Sequence, residues 1–253
     1  MGRAIVRAIT ELPDARVHSA VEFPGSPYVG SDAGVLAGID ELGVRITDVL
    51  DGLKGADVVI DFTTAKSTPA LVALATTLRM PVVIGTTGLD DSTNRGVEAL
   101  SRVAPVVHAA NYSVGVAVLN HLAAEAVRLL GDAYDAEIVE MHHHHKTDAP
   151  SGTALALAET VRKAKGFDAE SLAFGREGNV GARPRAQIGV MTLRGGDVVG
   201  DHTLVLAGGG ERLELTHRAH DRSLFARGAV RAAAWVVGRA PGRYAMRDVL
   251  GLP

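Results

Sequence analysis

The centre of the chain carries the sequence EMHHHHKTDAPSGTAL, residues 140–155, in which a strand-like run passes through a loop into a helical pattern. Four imidazoles and the ammonium of Lys146 therefore lie on a loop that leads into a helix start. Ser151 is predicted to be the N-cap, so the amides of Gly152 and Thr153 lie at the positive end of the helix dipole. Such an end binds anions. A carboxylate bound there would be close to groups that supply protons near neutral pH.

Three other interpretations of the histidine run compete with an anion site. A purification tag is disfavoured because the run is internal and four residues long. Imidazole is a common metal ligand, but adjacent histidines on a strand point to opposite faces, the chain has no cysteine, and only His217 and His220 form another cluster. We therefore predict no metal. A solvated polar loop is the strongest alternative.

Composition excludes several classes of protein. The 253 residues allow one large domain or two modest ones. A net charge of −3 without a basic block gives no reason to expect a nucleic-acid partner. No apolar run is typical of a signal peptide or a membrane span, so no membrane partner is expected. The absence of cysteine excludes disulfides and suits a reducing cytoplasm, which is the predicted location.

Strands and helices alternate in the first half of the chain, which is typical of an α/β fold with a doubly wound, Rossmann-like parallel sheet. Continuous apolar runs bounded by polar residues predict buried parallel strands. Residues 25–38, rich in Gly, Ser and Asp, are predicted to form a surface loop. The predicted helices cover residues 1–9, 67–79 and 92–103, and the predicted strands cover residues 16–21, 57–62, 81–84 and 105–109.

Ligands of parallel sheets bind at the carboxyl ends of the strands, and four candidate contacts follow the predicted strands. They are Glu22, Phe62, residues 85–87 and residues 109–112. Glu22 lies twenty residues after Gly2, the offset at which a dinucleotide-binding unit places its ribose-binding acid. A surface carboxylate beside a turn is an equal alternative, and Gly and Thr are ordinary loop residues. Together the four positions outline one edge.

The pattern changes after Ser113. A long helix at residues 114–130 precedes the histidine loop, residues 167–185 are irregular and suggest a mobile loop, and a last helix covers residues 223–237. Strands at residues 186–193, 198–207 and 211–217 predict a mixed sheet with one face free for another subunit or a ligand. We predict an α+β substrate-binding and oligomerisation domain at residues 113–221. It is inserted between a dinucleotide-binding domain at residues 1–112 and a C-terminal helix, residues 222–253, that returns to it.

From residue 1 to about residue 250 the chain resembles the dihydrodipicolinate reductase family, the 4-hydroxy-tetrahydrodipicolinate reductases of the diaminopimelate route to lysine. The most specific match is residues 142–153, close to the family motif H-H-x-H-K-x-D-A-P-S-G-T. Supporting matches are residues 61–63, 85–88, 110–115, 194–197 and 246–250.

The resemblance implies an oxidoreductase that transfers a hydride from NADH or NADPH to 4-hydroxy-tetrahydrodipicolinate, a small dicarboxylate, to give tetrahydrodipicolinate. It implies that His142 is the acid/base and Lys146 the second proton donor. His143 would bind one substrate carboxylate, and Gly152 and Thr153 the other. The family is usually tetrameric through the sheet of the substrate domain, so a homotetramer is expected.

The resemblance also implies a set of cofactor contacts. These are Met1, Glu22, Gly85, Thr86, Thr87, Ala109, Ala110, Asn111 and Tyr112.

Two departures from the family pattern concern the cofactor. The family begins with a strand followed by G-x-x-G-x-M-G, and this chain has only Met1-Gly2. We therefore expect the first strand and two phosphate-facing glycines to be missing, through either a late start, which we favour, or poor cofactor binding. Phe23 follows Glu22 where an enzyme that binds a 2′-phosphate often has Arg, so NADH is expected to be preferred.

Other functions compete with the reductase hypothesis. One is a metal hydrolase that uses His142 and His145. Another is a non-catalytic nucleotide-sensing module whose histidine loop is only a solvated surface. A third is a truncated family member, impaired in cofactor binding, that acts only as a binding module. We favour the reductase because proton donors, an anion-binding helix start and a dinucleotide-type sheet edge occur together.

Overall fold

The computed structural model describes all residues, 1–253. Three short 3-10 turns, Leu50–Leu53, Gly131–Ala133 and Ala169–Ser171, accompany eight helices and eleven strands. The helices are α1 (Gly2–Thr10), α2 (Ala33–Ala37), α3 (Thr68–Leu78), α4 (Asp91–Ser101), α5 (Val114–Leu130), α6 (Gly152–Lys165), α7 (Ser223–Val236) and α8 (Met246–Val249). The strands are β1 (Ala20–Val21), β2 (Ile46–Thr47), β3 (Val59–Asp61), β4 (Val82–Ile84), β5 (Pro105–His108), β6 (Asp135–His142), β7 (Leu172–Ala173), β8 (Ile188–Arg194), β9 (Gly200–Ala207), β10 (Arg212–Ala219) and β11 (Gly242–Tyr244).

The chain divides into two compact units. The first unit comprises Met1–Val114 and Ser223–Pro253, and the second comprises Gly115–Arg222. A parallel sheet and a mixed sheet form their respective cores, which confirms the predicted α/β fold class with an added α+β part.

A four-stranded parallel sheet in the order β11-β5-β4-β3 forms the centre of the first unit. Alternate residues of each strand point to opposite faces, so helices cover both sides. On one side, Val82, Ile84 and Val106 pack in a core with residues of α3 and α4. On the other side, α1 and α7 pack together with Ile60 and Phe62. Strands β1 and β2 form a separate parallel pair.

Two local predictions for the first unit are wrong. The segment at residues 25–38 is not all loop, because α2 begins after Asp32, whose carboxylate accepts hydrogen bonds from the N–H groups of Gly34 and Val35. The strand predicted at residues 16–21 shortens to Ala20–Val21 because its partner β2 is only two residues long. The Asp32 cap is a local signal that the Gly-, Ser- and Asp-rich composition obscured, whereas the length of β1 depends on pairing with a distant segment.

A five-stranded mixed sheet in the order β10-β9-β6-β8-β7 forms the second unit. Its central strand β6 runs antiparallel to β9 and parallel to β8. One face, which we call the covered face, packs against α5 and α6. The opposite face, which we call the open face, presents residues of β6, β8 and β9 that are mostly half-buried.

By length and composition alone, Val114–Ala133 is one stretch that could cross a membrane. Its residues Leu119, Ala123 and Val127 instead form part of the core under the covered face. An apolar helix with such a buried stripe is also typical of a protein core.

Candidate active site

The end of β6 and the start of α6 are joined through one buried carboxylate. Glu140 and His142 are two residues apart on the strand, so both point to the covered face. Glu140 Oε2 lies 2.6 Å from His142 Nδ1, and its Oε1 accepts the backbone N–H of Ser151 at 3.1 Å. Ser151 is the N-cap of α6, as predicted, since its Oγ accepts the N–H of Ala154 at 3.1 Å. The imidazole and the helix start are therefore held by the same group.

Arg194 supplies most of the charge that balances Glu140. The guanidinium donates to both carboxylate oxygens, at 2.9 and 3.0 Å, and Thr192 Oγ1 donates to Oε1 at 3.1 Å. Glu140 is fully buried. Burial raises the pKa of Glu140, but hydrogen bonds from Arg194, His142 and Ser151 outweigh that effect and hold the pKa below its usual value. The carboxylate is therefore ionised at neutral pH.

Charge and hydrogen bonding determine the tautomer of His142. An ionised carboxylate can only accept, so Nδ1 carries the hydrogen and Nε2 is left to exchange a proton. Next to this ring, His202 lies edge-on at 5.2 Å between centroids, and its Nε2 is 3.0 Å from Ser151 Oγ. Burial lowers the pKa of His202 to about 4, with a further lowering from His142. His202 is thus neutral at neutral pH.

The loop after β6 places the remaining polar groups around His142. Lys146 is mostly buried, and its Nζ donates to Asp148 at 2.8 Å. His143 Nε2 lies 3.2 Å from the Arg222 guanidinium, while its buried Nδ1 has no hydrogen-bond partner. Burial lowers the pKa of His143, and Arg222 lowers it further. A neutral imidazole beside a guanidinium suits an anionic ligand.

Gly152 and Thr153 form the first turn of α6, where the helix dipole is positive. Gly152 is exposed and Thr153 is half-buried. A Cβ on Gly152 would meet nothing within 4 Å, so a ligand has room to approach the backbone. The structure contains no group of three or more His, Cys, Asp or Glu side chains placed to hold a metal ion.

The carboxyl ends of β3, β4 and β5 lie side by side in the first unit. A Cβ on Gly85 would fall 2.3 Å from the ring of Phe62, so only glycine fits at the end of β4. Tyr112 is buried, and its hydroxyl donates to the carbonyl oxygens of Ile84 at 2.9 Å and Val107 at 3.0 Å. The side chain of Tyr112 therefore supports this edge from inside the first unit.

Thr86, which follows Gly85, carries a buried hydroxyl without a hydrogen-bond partner. A buried polar atom of this kind normally finds a partner, so a ligand with hydrogen-bonding groups fits at this position. A nicotinamide dinucleotide is such a ligand, and strand ends of parallel sheets are where these cofactors bind. The edge therefore fits the cofactor predicted from the sequence.

The other predicted cofactor contacts are spread over the first unit. Thr87 and Ala110 are exposed, and Ala109 and Asn111 are partly buried. Asn111 Oδ1 accepts the N–H of Ser113 at 2.8 Å.

The two remaining contacts lie at the N-terminus and beside β1. Met1 precedes α1, and its carbonyl oxygen accepts N–H groups from Ala4 and Ile5. Glu22 follows β1, outside the four-stranded sheet, and is exposed.

Four residues around His142 have no role in the sequence prediction: Glu140, Arg194, Gly200 and His202. Alternation on a strand could have placed Glu140 on the same face as His142. The proximity of Arg194 and Gly200 to this site can be recognised only when β8 and β9 are known to flank β6. His202 requires the same pairing, since it lies opposite Glu140 on β9.

Comparison with known proteins covers nearly the whole chain. The family model described as "Dihydrodipicolinate reductase, N-terminus" matches residues 1–112, and that described as "Dihydrodipicolinate reductase, C-terminus" matches residues 115–250. The 4-hydroxy-tetrahydrodipicolinate reductase of Alkalilimnicola ehrlichii is 51% identical over 254 residues, which cover 100% of this chain and 95% of the relative. That of Anaeromyxobacter dehalogenans is 52% identical, with coverage of 100% and 94%.

A solved structure supports the same fold. The dipicolinate-bound dihydrodipicolinate reductase from Paenisporosarcina sp. TG-14 superposes with a TM-score of 0.77 at 21% identity, covering 98% of this chain and 94% of that one. The matches in both halves make this chain an oxidoreductase with a nicotinamide cofactor. With its histidine loop, capped helix start and parallel-sheet edge all present, the chain belongs to the dihydrodipicolinate reductase family.

Proposed function

We propose that the chain catalyses the reduction of 4-hydroxy-tetrahydrodipicolinate to tetrahydrodipicolinate, a step of lysine and diaminopimelate biosynthesis. A hydride is added to the ring, the 4-hydroxyl group is lost, and one proton completes the water molecule that leaves. The enzyme must therefore bind two carboxylates and deliver a proton.

One observation carries this proposal. Glu140 accepts hydrogen bonds from His142 on the strand and from the Ser151 N–H at the helix start, at 2.6 and 3.1 Å. A proton-transferring imidazole is thereby held beside a helix N-terminus, which is a ready-made carboxylate site. A dicarboxylate that needs a proton during reduction matches this pair of features.

Each predicted residue has a role that its position supports. His142 exchanges the proton at Nε2, since Nδ1 is bonded to Glu140. Lys146 is the second proton donor and is held by Asp148. His143, next to Arg222, binds one substrate carboxylate, and the turn at Gly152 and Thr153 binds the other.

A bound nicotinamide would supply the hydride. We propose that it is held by the backbone and hydroxyl groups of Gly85, Thr86 and Thr87, and by the backbone of residues 109–112. Met1 and Glu22 are the proposed contacts outside the four-stranded sheet. The unpartnered hydroxyl of Thr86 is the feature that supports this assignment most directly.

The test follows NADH oxidation in the presence of the condensation product of aspartate-semialdehyde and pyruvate. His142→Gln and Lys146→Ala are each expected to lower kcat about 10²–10⁴-fold, because positioned proton donors contribute that much. Cofactor affinity, measured by fluorescence titration, should not change. His144→Gln is the control, since His144 is exposed and bonds only to a loop carbonyl. A wild-type rate in His142→Gln or in Lys146→Ala would refute the role proposed for that residue.

We also propose that NADH is preferred over NADPH. Phe23 is 60% exposed and offers no charge to a 2′-phosphate beside Glu22. The ratio of kcat/KM for the two cofactors tests this, and Phe23→Arg should shift the ratio towards NADPH. Equal kcat/KM values for both cofactors in the wild type would contradict the preference.

A homotetramer in the cytoplasm is the proposed assembly and location. On the open face, the partly exposed apolar residues Val139, Met141, Met191 and Leu193 form a patch across the neighbouring strands β6 and β8. Such a patch suits burial against another copy of the sheet. Light scattering should give four chains per particle, and Leu193→Asp should dissociate them. A variant that stays tetrameric would exclude this face.

A further inference from the structure

We propose that Glu140 is the positioning residue that sets the orientation and tautomer of His142, and that Gly200 keeps the Nε2 atom of this ring accessible. The inference rests on the proposed function, in which His142 is the acid/base. Both residues act through His142 and need no contact with the substrate.

The orientation of Glu140 is determined by the donors that converge on it. Oε1 faces Ser151 N, Thr192 Oγ1 and one nitrogen of Arg194, while Oε2 faces His142 Nδ1 and the other nitrogen of Arg194. All five are donors, and an ionised carboxylate is acceptor-only. The carboxylate therefore cannot rotate without breaking several charge-assisted bonds. A fixed Oε2 in turn fixes the imidazole ring.

This contact has a chemical consequence for His142. With the hydrogen held at Nδ1, the basic lone pair of neutral His142 is at Nε2. When Nε2 is protonated, the imidazolium is stabilised by the adjacent negative charge of Glu140. Proton transfer thus occurs at one atom only, on the side of the ring opposite Glu140.

Gly200 on β9 lies on that side of the ring. A Cβ built at this position would be 2.9 Å from His142 Nε2 and 3.3 Å from its Cδ2. The backbone of Gly200 does not lie in the left-handed region, so glycine is not required for its conformation. Space beside Nε2 is therefore the reason for glycine here. Any side chain would displace the ring or cover the atom that exchanges the proton.

The principal test is Glu140→Gln, observed by ¹⁵N NMR of the histidine side chains with the His142 signals assigned by their loss in His142→Gln. Oε1 faces three donors and Oε2 two, so the amide oxygen should keep the Oε1 position. The new N–H₂ then faces Nδ1 and donates to it, at the cost of one bond from Arg194. The neutral ring should switch from the Nδ1–H to the Nε2–H tautomer. We expect kcat to fall about 10²–10⁴-fold while KM for the dicarboxylate stays within about twofold.

Glu137→Gln is the matched control. Glu137 lies on the same strand and is bonded by two arginines, but it points to the open face and touches no histidine. The Glu137→Gln variant should leave the ¹⁵N signals of His142 unchanged. Because the NMR measurement needs no substrate, it remains informative if the chain proves inactive as a reductase, and that failure is then distinct from failure of this inference.

Gly200→Ala tests the second part and leaves the Glu140 network intact. It should retain the Nδ1–H tautomer but lower kcat at least tenfold, with cofactor affinity unchanged. Gly209→Ala, in the turn between β9 and β10, is the control because its Cβ would meet nothing within 4 Å.

Three results would overturn the proposal. These are an Nε2–H tautomer in the wild type, an unchanged tautomer in a folded Glu140→Gln, and a fully active Gly200→Ala. If Glu140→Gln does not fold, the tautomer of wild-type His142 and the kcat of Gly200→Ala still test the proposal.

Discussion

Glu140 and Glu137 stand three residues apart on β6 and point to opposite faces of the mixed sheet. Arginine donates to both carboxylates. Glu137 lies directly against Gly189 of β8, whereas Gly200 of β9 lies against His142, to which Glu140 is bonded. On the covered face, Glu140 is fully buried and its arginine pair supports an imidazole. On the open face, Glu137 is partly exposed and anchors the irregular segment at residues 174–187.

The difference between the two carboxylates lies in their surroundings. Burial removes water as an alternative partner, so every hydrogen bond to Glu140 becomes a geometric constraint on its neighbours. Glu137 keeps contact with solvent, and its bonds to Arg176 and Arg183 are correspondingly weaker constraints. The same pairing chemistry thus holds an imidazole in place on one face and anchors a loop on the other.

The largest expected effect is the difference in unfolding free energy lost when an apolar side chain is truncated on the covered face and on the open face. Ile138→Ala on the covered face should lower the free energy of unfolding by about 2–5 kcal/mol, because Ile138 is fully buried and a cavity remains. Val139→Ala on the open face should cost about 1 kcal/mol. Urea unfolding at two protein concentrations measures both. If the open face is a subunit interface, the urea midpoints of the wild type and of Ile138→Ala should rise with protein concentration, because association stabilises the folded subunits.

The two carboxylates themselves provide the next comparison. Glu140→Ala should cost about 3 kcal/mol, because it leaves the Arg194 charge without its partner in a largely buried position. Glu137→Ala should cost about 1 kcal/mol, since Arg176 can turn to solvent and Arg183 keeps Asp135 and backbone carbonyl oxygens as partners. Equal losses in chemical denaturation would remove the distinction drawn between the faces.

Acid should weaken the arginine pairs of both carboxylates and so lower the stability of the fold. Burial raises and arginine bonds lower the pKa of each carboxylate, and the net pKa is lowered in both. A lowered folded pKa contributes stability that is present above the ordinary value of 4.5 and is lost as pH falls through the folded pKa. Wild-type Tm should therefore fall as the pH drops below 4.5. In Glu140→Gln and in Glu137→Gln, Tm should fall less steeply with decreasing pH than in the wild type. A slope of Tm against pH equal to that of the wild type would contradict this expectation.

The smallest expected effect concerns the anchored segment. Arg176→Ala removes the two bonds to Glu137 and the bond to Gln187. Global stability should change by less than about 1 kcal/mol, because the pair is partly exposed. Cleavage within residues 174–187 during limited proteolysis should nevertheless become faster, since the local opening costs less. Unchanged cleavage would show that Arg183 alone anchors the segment.

Sequence patterns predicted most elements because their signals are local. The helix at 114–130 appears at those residues, and the strands at 81–84 and 105–109 shift by only a residue. Ser151 caps α6 because its hydroxyl needs only the next three residues. Asp32 caps α2 in the same local way, but its carboxylate also accepts N–H groups from Leu42 and Val44. Distant partners of this kind leave no periodic signal.

The sequence by itself determined the α/β class, the strand–loop–helix order around the histidines, and the residue types that can exchange protons or bind a carboxylate. These follow from periodicity, capping and side-chain chemistry, which act over a few residues. Only the tertiary structure decided which atom of His142 is left free. Arg194 binds Glu140, and Gly200 lies beside the ring of His142. These two residues come 52 and 58 positions after His142, and only the pairing of β6 with β8 and β9 brings them there.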